Sequence, residues 1–174
     1  MSQAFAIKGG PEYPGAKANI VGTYAGVLDP TDVGSNTLGI FSVGIPQTGL
    51  ASGPFLVFTG ERTFVGSIQG IGDPNKSTLR ANLQGVPVVT AGNTTIFTLN
   101  FHADGSMNAR IAARSTTVFS VSNTRLTGSA HITTTNRNVD PVERTDTDFT
   151  VDGFKQSNTA TNVPIPSGSP ATGG

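Results

Sequence analysis

Apolar and polar residues alternate with a period of two along much of the chain, and no stretch keeps an apolar period of about 3.6 for the length of a helix. That pattern predicts β-strands with one buried face. It is clearest over Thr94 to Arg114. Phe97, Leu99 and Phe101 alternate with Thr98, Asn100 and His102, and then Met107, Ala109 and Ile111 alternate with Asn108 and Arg110. Asp104-Gly105 lies between the two runs and reads as a turn. A two-residue loop would set Phe101 against Asn108 and mix the faces, whereas a three-residue loop, Ala103-Asp104-Gly105, sets Phe101 against Met107, Leu99 against Ala109 and Phe97 against Ile111. The spacing therefore predicts a hairpin in the second register, with Gly105 left-handed.

Other strands follow the same logic. Ser52 to Thr59 and Thr63 to Ile71 flank a Gly60-Glu61 turn and carry apolar residues at successive positions, which suits a pair buried on both sides. Leu79, Ala81 and Leu83 alternate with Arg80, Asn82 and Gln84. Leu126, Gly128, Ala130 and Ile132 alternate with Thr127, Ser129 and His131, and Phe149 with Val151 closes the ordered region.

Two segments repeat. Gly22-Thr23-Tyr24-Ala25-Gly26-Val27-Leu28-Asp29-Pro30 matches Gly66-Ser67-Ile68-Gln69-Gly70-Ile71-Gly72-Asp73-Pro74. After a linker three residues longer in the first copy, Thr37-Leu38 leads to Gly44-Ile45-Pro46 as Thr78-Leu79 leads to Gly85-Val86-Pro87. The unit, at residues 22–46 and 66–87, reads as strand, Asp-Pro turn, strand and Gly-apolar-Pro exit. Its glycines four apart share one face of a strand, where they permit bending or the close approach of another layer. A phosphate loop would need Gly-Lys-Ser/Thr opening a helix, and a membrane contact would need about 20 apolar residues around it. Neither context exists, so these glycines are scaffold.

The length, 174 residues, suits one domain with a real core. Charged residues make up 13% of the chain, about half the usual share, and its net charge is zero. Disorder normally accompanies high charge, and the many Val, Ile and Phe here favour ordered strands. Residues 1–17 read as an N-terminal arm, 18–154 as a single β domain, and 155–174 as a Pro/Gly/Ser/Thr-rich tail. The fold class expected is all-β: an antiparallel barrel or a two-sheet sandwich of about nine or ten strands with an internally duplicated hairpin unit. Alternation suits both and leaves the choice open.

Candidate chemistry is sparse. There is no Cys, hence no disulfide, thiolate site or thiol nucleophile. His102 and His131 each alternate with core positions and should point outward as solvated residues, and no Gly-x-Ser-x-Gly elbow supports a catalytic relay. Carboxylates gather at Asp140, Glu143, Asp146 and Asp148, with Asp146 and Asp148 on one strand face, while Asp29 and Asp32 flank a turn. Calcium takes such oxygens, but the calcium-loop pattern is missing and Arg144 lies inside the cluster. With no Trp, and with Tyr13 and Tyr24 the sole tyrosines, sugar platforms are lacking. Asn75-Lys76-Ser77 and Asn93-Thr94-Thr95 match the glycosylation sequon, as expected by accident in so Asn/Thr-rich a chain. No catalytic, cofactor-binding or metal residue is assigned, and no cofactor is expected.

GTYAGVL, GIFSVGIPQTG, RTFVGSIQGIGDP and VDGFKQS resemble small Gly/Thr-rich secreted β proteins of environmental bacteria. That resemblance spans most of residues 8–157 and implies export with the leader removed; it carries no activity and no functional residue. Met1 to Ala6 lacks the basic and apolar regions of a secretory signal, so the chain reads as a mature form or as one used without export.

The function expected is a non-catalytic structural subunit that self-assembles into an extracellular fibre, sheath or surface layer. Its motives are low charge, repeated hairpins and missing chemistry. Terminal segments would join copies as a homo-oligomer or polymer by adding strands to a neighbour. A virion decoration or appendage protein and a barrel holding a small apolar ligand are the alternatives. The balance of charge argues against nucleic-acid partners, and no apolar run is long enough for a membrane-spanning helix.

Overall fold

A computed structural model describes residues 19–88, 100–115 and 122–160. Eight antiparallel strands follow one another around a closed barrel. They are β1 (Gly22–Pro30), β2 (Leu38–Ile45), β3 (Leu50–Phe58), β4 (Thr63–Asp73), β5 (Thr78–Pro87), β6 (Phe101–Ser115), β7 (Ser122–Asn136) and β8 (Glu143–Ser157). Each strand pairs with the next, and β8 returns to β1, where Gly26 stands opposite Gly153 and Pro30 opposite Phe149. The open choice between barrel and sandwich thus resolves to a barrel, which leaves no sheet edge along its paired strands.

Among the described residues there are eight strands against the nine or ten expected, and the late ones are long. β6, β7 and β8 each run for 15 residues. β6 corrects the clearest sequence expectation. Ala103, Asp104 and Gly105 form no turn: they lie within the strand, opposite Thr134, Thr133 and Ile132 of β7 and, on the other side, Gly85, Gln84 and Leu83 of β5. Met107 pairs with Ala130 and Ala81 rather than with Phe101, and Gly105 is not left-handed. The physical reason is parity. Phe101, Ala103, Gly105, Met107, Ala109 and Ile111 share one face, so the apolar phase passes through Asp104-Gly105 unbroken, and neighbours on both sides take the backbone hydrogen bonds a turn would have used. A Cβ at Gly105 would strike the carbonyl oxygen of His131, so the glycine serves close packing. Thr94 to Leu99 lie outside the described residues.

The Gly60-Glu61 hairpin forms as expected, with Phe58 opposite Thr63. Thr59 holds its turn: the hydroxyl accepts from the Arg62 amide at 2.8 Å and donates to the Arg62 carbonyl at 3.0 Å. β5, β7 and β8 carry the predicted alternation, with Leu79, Leu83, Leu126, Ile132, Phe149 and Val151 in the core. β8 continues through Lys155 to Ser157, past the expected start of the tail. Of the arm, Met1–Lys17, nothing lies within the described residues, nor does the tail beyond residue 160.

The repeated segments match in their first strands and part in their second. Tyr24 and Ile68 both point into the barrel. Gly22, however, pairs with Ile45, whereas its counterpart Gly66 pairs with Gly85, the counterpart of Gly44. A one-residue difference in register turns a strand over. Leu38 accordingly faces out while Leu79 is fully buried. The odd, three-residue difference between the two linkers accounts for this inversion. The turns differ too. Asp73 accepts from the amide of Asn75 at 2.9 Å, as an Asp-initiated turn should, but Asp29-Pro30 stays in β1 and Asp32 does that work, accepting from Gly34 at 3.0 Å.

Tyr24, Phe55, Met107, Leu126, Ile132 and Phe149 are among the largest fully buried side chains and fill the interior. One end is sealed. Ile20 tucks under the barrel, the Tyr24 hydroxyl donates to its carbonyl at 2.9 Å, and the Lys155 ammonium donates to the Asn19 carbonyl at 2.6 Å. Burial raises the Tyr24 phenol well above its ordinary pKa and lowers that of Lys155.

Candidate functional site

The exterior of the barrel is divided by charge. β2 (LGIFSVGI) and β3 (LASGPFLVF) hold no Asp, Glu, Lys or Arg. Side chains alternate across a strand, so their outward positions are Leu38, Ile40 and Ser42, and Leu50, Pro54, Leu56 and Phe58. Ile40 stands opposite Leu56, and Leu38 opposite Phe58. The row extends from Val27 on β1 through Ile40 and Leu56 to Val65 and Val86. Val65 and Val86 are buried, and so is Ser67, which makes β4 inaccessible on both faces from Phe64 to Ile68. β3 departs from the expected double burial: Leu50 is 66% exposed and Phe58 38%, beside Val27 at 41% and Ile40 at 39%. A contiguous apolar surface of this kind is the usual mark of an interaction face.

β5 to β8 present the opposite character. Outward positions there include Arg80, Asn82, Asn108, Arg110, Ser129 and Asp152. The Arg125 guanidinium grips both oxygens of Asp152, at 2.6 and 2.8 Å, and lies over the Phe154 ring at 4.4 Å. His131 does point outward, but it is not merely solvated. Its Nδ1 lies 2.7 Å from Asp148 and its Nε2 3.0 Å from Asp146, and Thr133 donates to Asp146 at 2.5 Å. Bonding to Asp148 and then Asp146 raises the His131 pKa, while the Thr133 hydroxyl and then His131 hold Asp146 below the usual carboxylate range. Sequence reading found that Asp146 and Asp148 share a face; it missed their partner, which the pairing of His131 with Asp148 supplies. His102 faces out as expected, 3.0 Å from Asp104 and beside Arg137.

Asp140 and Glu143 do not join Asp146 and Asp148 around a common centre, and among the described residues no group of His, Asp and Glu is placed to hold a metal ion. The end of the barrel opposite Ile20 is concave, with a cavity of about 370 Å³ among residues of β3, β4, β6, β7 and β8. Comparison with protein-family models, curated proteins and solved structures finds no match to this chain.

Proposed function

We propose that the chain is a non-catalytic structural subunit that self-associates through the outer face of β2 and β3, building an extracellular fibre, sheath or surface layer. The charge-free, solvent-facing surface centred on Ile40 and Leu56 carries this reading. A closed barrel offers no strand edge along its paired strands, so copies meet face to face. The partner is a second copy. A charged partner would find no opposite charge on this face, whereas an identical apolar face is self-complementary about a two-fold axis, and zero net charge leaves little long-range repulsion between copies. One such isologous contact closes as a dimer; growth into a fibre or layer requires a second contact, which the terminal segments would supply. The resemblance to secreted Gly/Thr-rich proteins supports an extracellular setting for the assembly.

Sedimentation velocity across a range of protein concentrations tests the contact. Wild type should form dimers or larger species, and Ile40→Asp, an outward substitution that leaves the core intact, should lose the face-to-face contact and shift the distribution to smaller species. A wild-type protein that stays monomeric at every concentration would overturn the proposal.

A further inference from the structure

We infer that the concave mouth of the barrel is a binding site for a small uncharged amphiphile: an organic molecule with an apolar body and a hydroxyl, carbonyl or amide head. The two ends of the barrel differ. One is plugged by Ile20 and bolted by the Tyr24 and Lys155 hydrogen bonds, and the other holds a cavity of about 370 Å³. That volume lies within the range of about 300–1,000 Å³ typical of small-molecule sites, for which barrel mouths are a favoured place.

The lining sets the chemistry. Val57, Phe64, Phe101, Ile132 and Phe149 are buried and form an apolar floor. Around them stand Asn36, Thr37, Thr134, Thr145 and Thr147. Hydroxyls and amides both donate and accept, so such a wall suits neutral polar groups. Arg62, Glu61 and Glu143 also line the cavity, so charges of both signs stand at the rim. The Arg62 guanidinium already lies 3.9 Å from the Phe101 ring centre.

Depth sets the size. Beneath the floor the barrel is filled by Phe55, Leu83, Met107 and Leu126, all fully buried. A long acyl chain has nowhere to go, so the site takes a short molecule and excludes fatty acids. The space lies at the mouth rather than in the lumen, and much of its wall is polar.

The test is a ¹⁵N-resolved NMR titration of the full chain with benzyl alcohol, cyclohexanol and acetanilide, and with dodecanoate as the long-chain control. Saturable shifts should appear at Ile132, Thr134, Thr145 and Thr147 with at least one neutral probe, and none there with dodecanoate. Thr147→Trp, which fills the cup from its wall, should abolish them while the dispersed spectrum shows the barrel intact. Ile40→Asp should keep them, which separates this site from the association face. No saturable shift at the mouth with any neutral probe, or shifts that persist in Thr147→Trp, would overturn the inference.

Discussion

Ile40 and Leu56 stand opposite each other across β2 and β3 with both side chains directed away from the barrel. Neither strand carries a charge that would compete for this surface. An association built on such a pair should behave as a hydrophobic contact. Raising sodium chloride from about 50 to about 500 mM shortens the screening length severalfold but removes no attraction here, so the dimer should persist. Ammonium sulfate should tighten it further. Light scattering at fixed protein concentration checks this, and dissociation by added sodium chloride would show that charged residues hold the copies together.

The His131 cluster makes stability depend on pH in two directions. The folded His131 pKa is raised above its ordinary 6.5, so its stabilising contribution is complete below that value and fades as pH rises through the higher folded pKa. Asp146 is held below its ordinary 3.8, so its contribution is complete above that value and is lost as pH falls through the lower folded pKa. Both contributions are present between these limits. His131→Asn should therefore lower Tm most near about pH 5–6 and least near about pH 8. Because the cluster is exposed, the difference should be small. Thermal unfolding of both proteins from acid to mildly alkaline pH reads it, and a gap that widens toward pH 8 would contradict the assigned ion pairs.

Gly66 should not tolerate a side chain. It faces Gly85 across β4 and β5, and a Cβ there would overlap the Gln84 carbonyl oxygen and lie 2.6 Å from the Gly85 Cα. Those neighbours are backbone and cannot swing aside, so Gly66→Ala should cost at least about 1–3 kcal/mol through overpacking. Gly34 offers the control, since a Cβ there meets nothing closer than Asp32 Oδ1 at 3.5 Å. Urea unfolding should show a lower midpoint for Gly66→Ala and an unchanged one for Gly34→Ala.

These residues also show which parts of the fold were legible in the sequence. β5, β7 and β8 were readable because Leu79 to Gln84, Leu126 to Ile132 and Phe149 to Val151 alternate without interruption. Asp104-Gly105 misled, because turn chemistry is a local preference and the two neighbouring strands outweighed it. Closure was illegible for a related reason. It depends on Gly26 meeting Gly153 across nearly the whole chain, and no local pattern announces that pair. The apolar runs of β3 and β4 were visible and read as a pair buried on both sides, yet Leu50 and Phe58 of β3 are exposed; alternation cannot say whether a second apolar face is covered. The mouth could not be read at all, since Thr37, Arg62, Phe101 and Thr147 become neighbours only once the barrel closes.

The plug at the sealed end rests on Tyr24. Its ring is fully buried, and its hydroxyl gives the Ile20 carbonyl a hydrogen bond 2.9 Å long in a site shielded from water. Tyr24→Phe keeps the ring packing and removes that donor. The Ile20 carbonyl loses this partner, so the loss should exceed the net value of an ordinary hydrogen bond and reach about 1–3 kcal/mol. The same change loosens the segment from Asn19 to Val21, which the Lys155 bond to Asn19 still holds from the β8 side. Amide exchange at Val21 should therefore quicken in Tyr24→Phe by more than the global loss of stability explains, while exchange at Phe55 and Leu126 should follow the global change. If Val21 and the core amides quicken by the same factor, the seal does not open separately from the barrel, and Tyr24 serves the core as a whole rather than the closure of this end.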